Sequence, residues 1–100
     1  MEVTINQQDT KFDVILQGRL DTTNADQFQK DIAPLMEAEN PDITIDCSGM
    51  EYTSSQGLRL FLMLQKQVLV HSGKMEMINM RPTVREVFNI TGFSNIIKIR

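Results

Sequence analysis

Apolar residues recur at every second position in two runs within the first twenty residues. Val3 and Ile5 share one parity in EVTINQQ, and Phe12, Val14, Leu16, Gly18 and Leu20 share the other over residues 12–20. A period of two marks a half-buried strand. The pattern breaks at Asp9-Thr10-Lys11, which reads as a turn, so two strands joined as an antiparallel hairpin are expected. The period then changes. After a loop of capping residues, Asp21-Thr22-Thr23-Asn24, the apolar positions Ala25, Phe28, Ile32, Leu35 and Met36 recur at helical spacing. Pro34 falls inside this helix and is expected to kink it or shift its last turn. Asn40-Pro41 ends it.

Alternation returns over residues 42–47, with Ile43, Ile45 and Cys47 on one face, and Ser48-Gly49 reads as a stop. The longest helix is expected over residues 54–71, about 26 Å at 1.5 Å per residue. Its core stripe is Leu58, Phe61, Leu62, Gln65, Val68 and Leu69. Ser72-Gly73 closes it, with Gly73 suited to a left-handed cap. Met75 and Met77 alternate in a strand over 74–80. Pro82 suits the first turn of a short helix that turns Val84, Val87 and Phe88 inward and stops at Thr91-Gly92. Ile96, Ile97 and Ile99 predict a last strand. The order is strand, strand, helix, strand, helix, strand, helix, strand. It predicts an α/β fold in which an N-terminal antiparallel hairpin leads into a mixed, largely parallel sheet. Parallel strands covered on both faces read as continuous apolar runs. Residues 42–47 alternate instead, so the helices are expected mainly on one face.

One hundred residues suit a single domain over 1–100. Ten Lys and Arg against thirteen Asp and Glu give a net charge of −3. Without a basic cluster, nothing tracks phosphates, and no direct nucleic-acid partner is expected. Cys47 is the sole cysteine, which excludes an internal disulfide and a cysteine zinc site. His71, the sole histidine, sits at a helix end, where the dipole favours it. There is no phosphate-binding G-x-x-x-x-G-K-[ST] and no G-x-S-x-G elbow. Asp21 and Asp46 have no evident partner carboxylate. Neither an enzyme nor a cofactor is expected. The apolar stretch Leu58–Val70 is interrupted by Arg59, Gln65, Lys66 and Gln67, and is too short and polar to span a membrane. No signal peptide is expected, since Met1 to Gln8 alternates polar and apolar residues. A monomer in the reducing cytoplasm is the expectation.

The informative segment is DCSGMEYTSSQGL, residues 46–58. A strand runs into a loop that delivers two serines to the start of the longest helix. Ser54 suits the N-cap, its hydroxyl accepting from a free backbone N–H. Ser55 then takes the first helical position, at the positive end of the helix dipole, which stabilises an anion. A phosphate there adds about −1.5 to −2 charges. Gly57 leaves room for another backbone to approach, and Arg59, one turn on, is placed to pair with a phosphate. Ser55, Arg59, Met63, Lys66, Gln67 and Val70 fall on one outward strip of the helix.

The stretch DCSGMEYTSSQGLRLFL resembles the signature of STAS domains of the anti-sigma factor antagonist type. GRLDTTNADQF is similar to the family's G-x-L-D loop, and RPTVREVFNITGFSNIIKI to its closing segment. The resemblance runs along nearly the whole chain and implies a STAS-like fold. It also implies a protein–protein switch. The unmodified antagonist binds an anti-sigma factor, usually a serine kinase, and so frees a sigma factor. The kinase phosphorylates one serine of the antagonist, and a phosphatase resets it. Alignment on Gly57 and Leu58 places the acceptor at Ser55, with Ser54 as a competing hydroxyl where many members carry Asp. The family's loop aspartate corresponds to Asp21, and the start of the longest helix with the Asp21–Asn24 loop is expected to be the recognition surface, with Asp21, Thr22, Asn24, Ser54, Gln56, Gly57, Arg59 and Met63 as partner-binding residues. Related domains serve as subunits of lipid-transport ABC systems or in signalling scaffolds, which gives an alternative within the fold. A small nucleotide-binding enzyme is the alternative outside it.

Overall fold

In the computed structural model, which describes residues 1–100, the opening residues form a hairpin of β1 (Glu2–Gln8) and β2 (Lys11–Leu20). Asp9 makes the turn with a left-handed φ of 55°, a region that Asp enters more readily than most residues. The chain continues as α1 (Ala25–Glu37), β3 (Asp42–Thr53), α2 (Ser55–Val70), β4 (Lys74–Ile78), α3 (Pro82–Ile90), a 3₁₀ turn (Phe93–Asn95) and β5 (Lys98–Ile99). All strands lie in one sheet in the order β1-β2-β3-β4-β5. β1 is antiparallel to β2, and every other pairing is parallel. Parallel neighbours need a crossover, and α1, α2 and α3 each supply one.

Burial follows the alternation. Phe12, Val14, Leu16 and Leu20 of β2, Ile43, Ile45 and Cys47 of β3, and Met75 and Met77 of β4 are buried. The residues between them are exposed or half-buried. The core therefore lies on one face of the sheet, under the helices. Phe28 of α1 meets Phe61 of α2 edge-on at 5.3 Å between ring centroids. Phe61 meets Phe88 of α3 at 5.9 Å. These contacts place α2 in the middle of the helical layer. The hairpin, the mixed sheet and the one-sided helices agree with the sequence pattern.

Local expectations are corrected at several points. β3 does not stop at Ser48-Gly49 but runs on to Thr53. Its register against β2 shifts between Ile15 and Gln17 and again between Gly18 and Arg19, irregularities that bend and re-aim a strand. A Cβ on Gly49 would stand 2.7 Å from the Leu16 carbonyl oxygen. This glycine marks a close approach of two strands, not a turn. At the end of α2 the left-handed residue is Ser72, with φ 61°, and not Gly73. The Ser72 N–H donates to the Leu69 carbonyl at 3.1 Å and the Gly73 N–H to the Val68 carbonyl at 2.8 Å, the paired bonds of a Schellman ending. Gly73 is there for space, since a Cβ would lie 2.4 Å from both Cδ and the carbonyl oxygen of Pro41.

The buried arc of α2 is wider than one stripe because helices flank it. Leu60 and Leu64 join it, while Leu62 is half-buried and Leu69 is 59% exposed. Val87 is on the exposed side of α3. Ile96 is exposed too, because it closes the 3₁₀ turn by donating to the Phe93 carbonyl at 3.0 Å, and β5 shortens to two residues. β4 ends at Ile78 rather than residue 80. α1 continues past Pro34 to Glu37. Pro34 and Lys30 are both exposed, so water reaches the carbonyl that the missing donor leaves free.

Candidate functional site

β2 and β3 leave the sheet side by side. Leu20 lies opposite Thr53 in the parallel register, and the Ser54 N–H donates to the Leu20 carbonyl at 2.8 Å. The loop Asp21–Asn24 and the pair Ser54-Ser55 are thereby brought together. They sit at the carboxyl ends of parallel strands, the edge at which open α/β sheets present their sites.

Ser54 is the N-cap of α2. Its backbone is extended (φ −81°, ψ 171°), and its hydroxyl accepts from the Gly57 N–H at 3.2 Å. The Thr53 hydroxyl, on a buried side chain, donates to the Ser54 carbonyl at 3.2 Å. Ser55 is the first residue of the helix and is exposed, and the first turn holds no acidic residue. The two serines thus differ. One hydroxyl is engaged in holding the helix end, and the other is free. Ser54→Ala is expected to lower stability by about 1 kcal/mol, whereas Ser54→Asp keeps a capping oxygen and near wild-type stability. Thermal unfolding of both variants checks this.

The Asp21 loop is braced by its own side chains. The Asn24 amide nitrogen donates to the Arg19 carbonyl at 2.8 Å, and its oxygen accepts from the Asp21 N–H at 3.0 Å. Asn24 therefore leaves α1 without a side-chain cap. The Asp21 carboxylate accepts from the Thr23 hydroxyl and, at 3.0 Å, from the Thr23 N–H. The hydroxyl bond first, then the backbone bond, hold the Asp21 carboxyl below its ordinary value of 3.8. A carboxylate whose pKa is lowered by folding stabilises the protein fully above the unfolded value, and that contribution is lost as pH falls through the folded one. The decline in melting temperature below about pH 4 is therefore expected to be shallower in Asp21→Asn than in the wild type. A pH series of thermal melts measures it. Thr22 is exposed beside this network.

The remaining residues divide. Arg59 and Met63 are exposed on α2, one and two turns beyond Ser55, and Gln56 is half-buried. Gly57 is a correction. It is buried, and a Cβ there would lie 2.5 Å from the Thr53 hydroxyl and 2.7 Å from Leu20 Cδ2. It lets α2 seat on the strand ends and offers no surface to another backbone. Sequence reasoning missed Arg19 and Tyr52. They are register partners, and the Arg19 guanidinium lies over the Tyr52 ring at 4.4 Å from the centroid, a cation–π pair beside the Asp21 loop. The shifted register hides this pairing from any count along the chain.

The surface at Ser55 is open. The two concavities of the protein lie elsewhere. One of about 250 Å³ is lined by Lys11, Asp42, Thr44, Lys74, Glu76 and Lys98, toward the amino ends of the parallel strands, and the other lies along α1. Small ligands favour enclosed, largely apolar clefts, and neither concavity includes Ser55. No helix is long and apolar enough to cross a membrane.

Comparison with known proteins agrees with this architecture. The sequence pattern of the STAS domain matches residues 2–100. BtrV of Bordetella bronchiseptica, a candidate anti-sigma factor antagonist, is 31% identical over 99 residues, covering 99% of this chain and 85% of that protein. The anti-sigma-B factor antagonist of Bacillus subtilis is 27% identical, covering 99% of this chain and 90% of its own length. Among solved structures, the unphosphorylated anti-sigma factor antagonist SpoIIAA superposes with a TM-score of 0.82 at 20% identity, over 99% of this chain and 88% of that one. The phosphorylated form of SpoIIAA, described as a Bacillus cell fate determinant, gives 0.74 at 20% identity, over 99% and 91%. These relatives are named for regulatory antagonism and not for catalysis. A family match across almost every residue, and a sheet and helices shared with its solved members, establish that the chain belongs to the STAS domain family.

Proposed function

We propose that this protein is an anti-sigma factor antagonist. It binds an anti-sigma factor through the start of α2 and the Asp21–Asn24 loop, and phosphorylation of Ser55 ends the binding. The anti-sigma factor is itself the serine kinase, a phosphatase resets Ser55, and the protein acts as a cytoplasmic monomer. The observation that carries this reading is the exposed hydroxyl of Ser55 on the first residue of α2, beside a serine whose own hydroxyl caps the helix. A kinase can take Ser55 without touching the cap, whereas the Ser54 hydroxyl is already engaged with the Gly57 N–H.

The names of the relatives support the antagonist role, and SpoIIAA occurs in both unphosphorylated and phosphorylated forms. The physical logic is one of desolvation. A neutral hydroxyl enters an interface with one hydrogen bond, and a dianion loses several kcal/mol of hydration unless cations meet it. The test is phosphorylation by the purified anti-sigma factor, site mapping by mass spectrometry, and affinity measured before and after. Phosphate on Ser55 with a weakened complex is the expected result. Phosphate confined to Ser54, or an unchanged affinity, would overturn it.

A further inference from the structure

The geometry points to Arg59 as the second half of the switch: in the free state its guanidinium meets a carboxylate on the anti-sigma factor, and a phosphate on Ser55 takes that guanidinium for itself. The inference rests on the function proposed above and adds the chemistry of the partner surface. In a protein of net charge −3, α2 carries Arg59 and Lys66 and no acidic residue from Ser55 to Val70. Most other cations are engaged. Lys11 pairs with Asp13, Lys74 with Asp42, and Lys98 and Arg100 with Glu76. Arg19 covers Tyr52, and Arg81 Nε donates to the Ser48 carbonyl. Arg59 has no such partner and is exposed.

Ser55 and Arg59 are four residues apart on one helix face, with the anionic position N-terminal to the base, which is the favoured order for such a pair. A phosphate and a guanidinium in this relation form charge-assisted hydrogen bonds. Met63 and Val70, 42% and 72% exposed, continue the same strip. A cationic and apolar strip fits an acidic and apolar surface, so the anti-sigma factor is expected to present carboxylates here. Phosphorylation then acts twice, adding an anion at the interface and withdrawing the cation that the partner needs. Lys66 is eleven residues beyond Ser55, about 16 Å along the helix and past the screening length of about 8 Å at physiological salt. It contributes to docking without joining the exchange.

Two measurements test this. The first uses the protein alone, phosphorylated at Ser55 and titrated by ³¹P NMR. Arg59→Gln is expected to move the second ionisation of the phosphate to higher pH, and Lys66→Gln to leave it in place. An Arg59→Gln protein that titrates like the wild type overturns the inference. The second is a double-mutant cycle of affinities for the purified anti-sigma factor. Ser55→Asp is expected to weaken binding about a thousandfold in the wild-type and Lys66→Gln backgrounds but about a hundredfold or less with Arg59→Gln, which by itself weakens binding about tenfold. Arg59→Lys keeps the charge and is expected to restore the full effect, separating charge loss from misfolding. Equal costs in every background overturn the inference and leave the antagonist reading standing. A wild-type protein that binds no anti-sigma factor overturns that reading, whatever the phosphate titration shows.

Discussion

Aspartate at position 55 is expected to weaken the complex with the anti-sigma factor about a thousandfold and to leave the fold intact. Ser55 is exposed and begins α2, so a carboxylate there meets water and the positive helix end in the free protein. That placement is worth about 0.3–1 kcal/mol in favour of the folded state, and the melting temperature should stay level or rise by a few degrees. Docking removes the water. The effective penalty for an unmatched charge is several kcal/mol, and about 4 kcal/mol corresponds to a thousandfold in affinity. Calorimetric titration with the anti-sigma factor, set beside thermal melts, separates the two effects. Affinity within threefold of the wild type would place Ser55 outside the interface. Ser55→Ala should bind like the wild type and take no phosphate there.

Phe61→Ala is expected to remove about 3–5 kcal/mol of stability. Phe61 is fully buried and touches both Phe28 and Phe88, so it joins α2 to both flanking helices. Domains of this size are stable by only about 5–15 kcal/mol. The variant should melt more than about 12 °C below the wild type. Phe61→Leu keeps most of the volume and should lose distinctly less. Urea unfolding gives both numbers. A loss under about 1 kcal/mol for the alanine variant would mean that the helices repack around the gap, contrary to a layer pinned by one central ring. Any effect on partner binding would follow from the fold, which separates this position from Ser55.

The architecture was legible because most of its signals are periodic. One-sided alternation in β2 and β3 announced a sheet with a single covered face, and the capping serine before an apolar run announced the start of α2. The glycines were harder to read. Gly49, Gly57 and Gly73 looked like punctuation or access, yet each is a place where a Cβ would collide with the protein itself, with Leu16, with Thr53 and Leu20, and with Pro41. Such collisions are long-range facts that local propensity does not carry. The stripe on α2 misjudged Leu60, Leu64 and Leu69 because the number of neighbouring helices sets how wide a buried arc becomes. Within the site, the two serines and the Asp21 loop were visible as motifs. The Arg19–Tyr52 pair was not, because bulges in β3 shift the register between them. Ser54, where the family resemblance implies an Asp in many members, changes little mechanically, since both residues cap a helix well.

Cys47 is fully buried on the covered face of β3, and burial first, with the neighbouring Asp46 charge second, pushes its thiol up to about 12. Attack on a thiol reagent requires the thiolate, so the sulfhydryl stays silent until the central strand is uncovered. The protein thus has a built-in stopwatch. The rate at which its lone thiol becomes modifiable clocks how often the sheet breathes, and slower labelling in the presence of the anti-sigma factor would report a stiffened antagonist without any added probe.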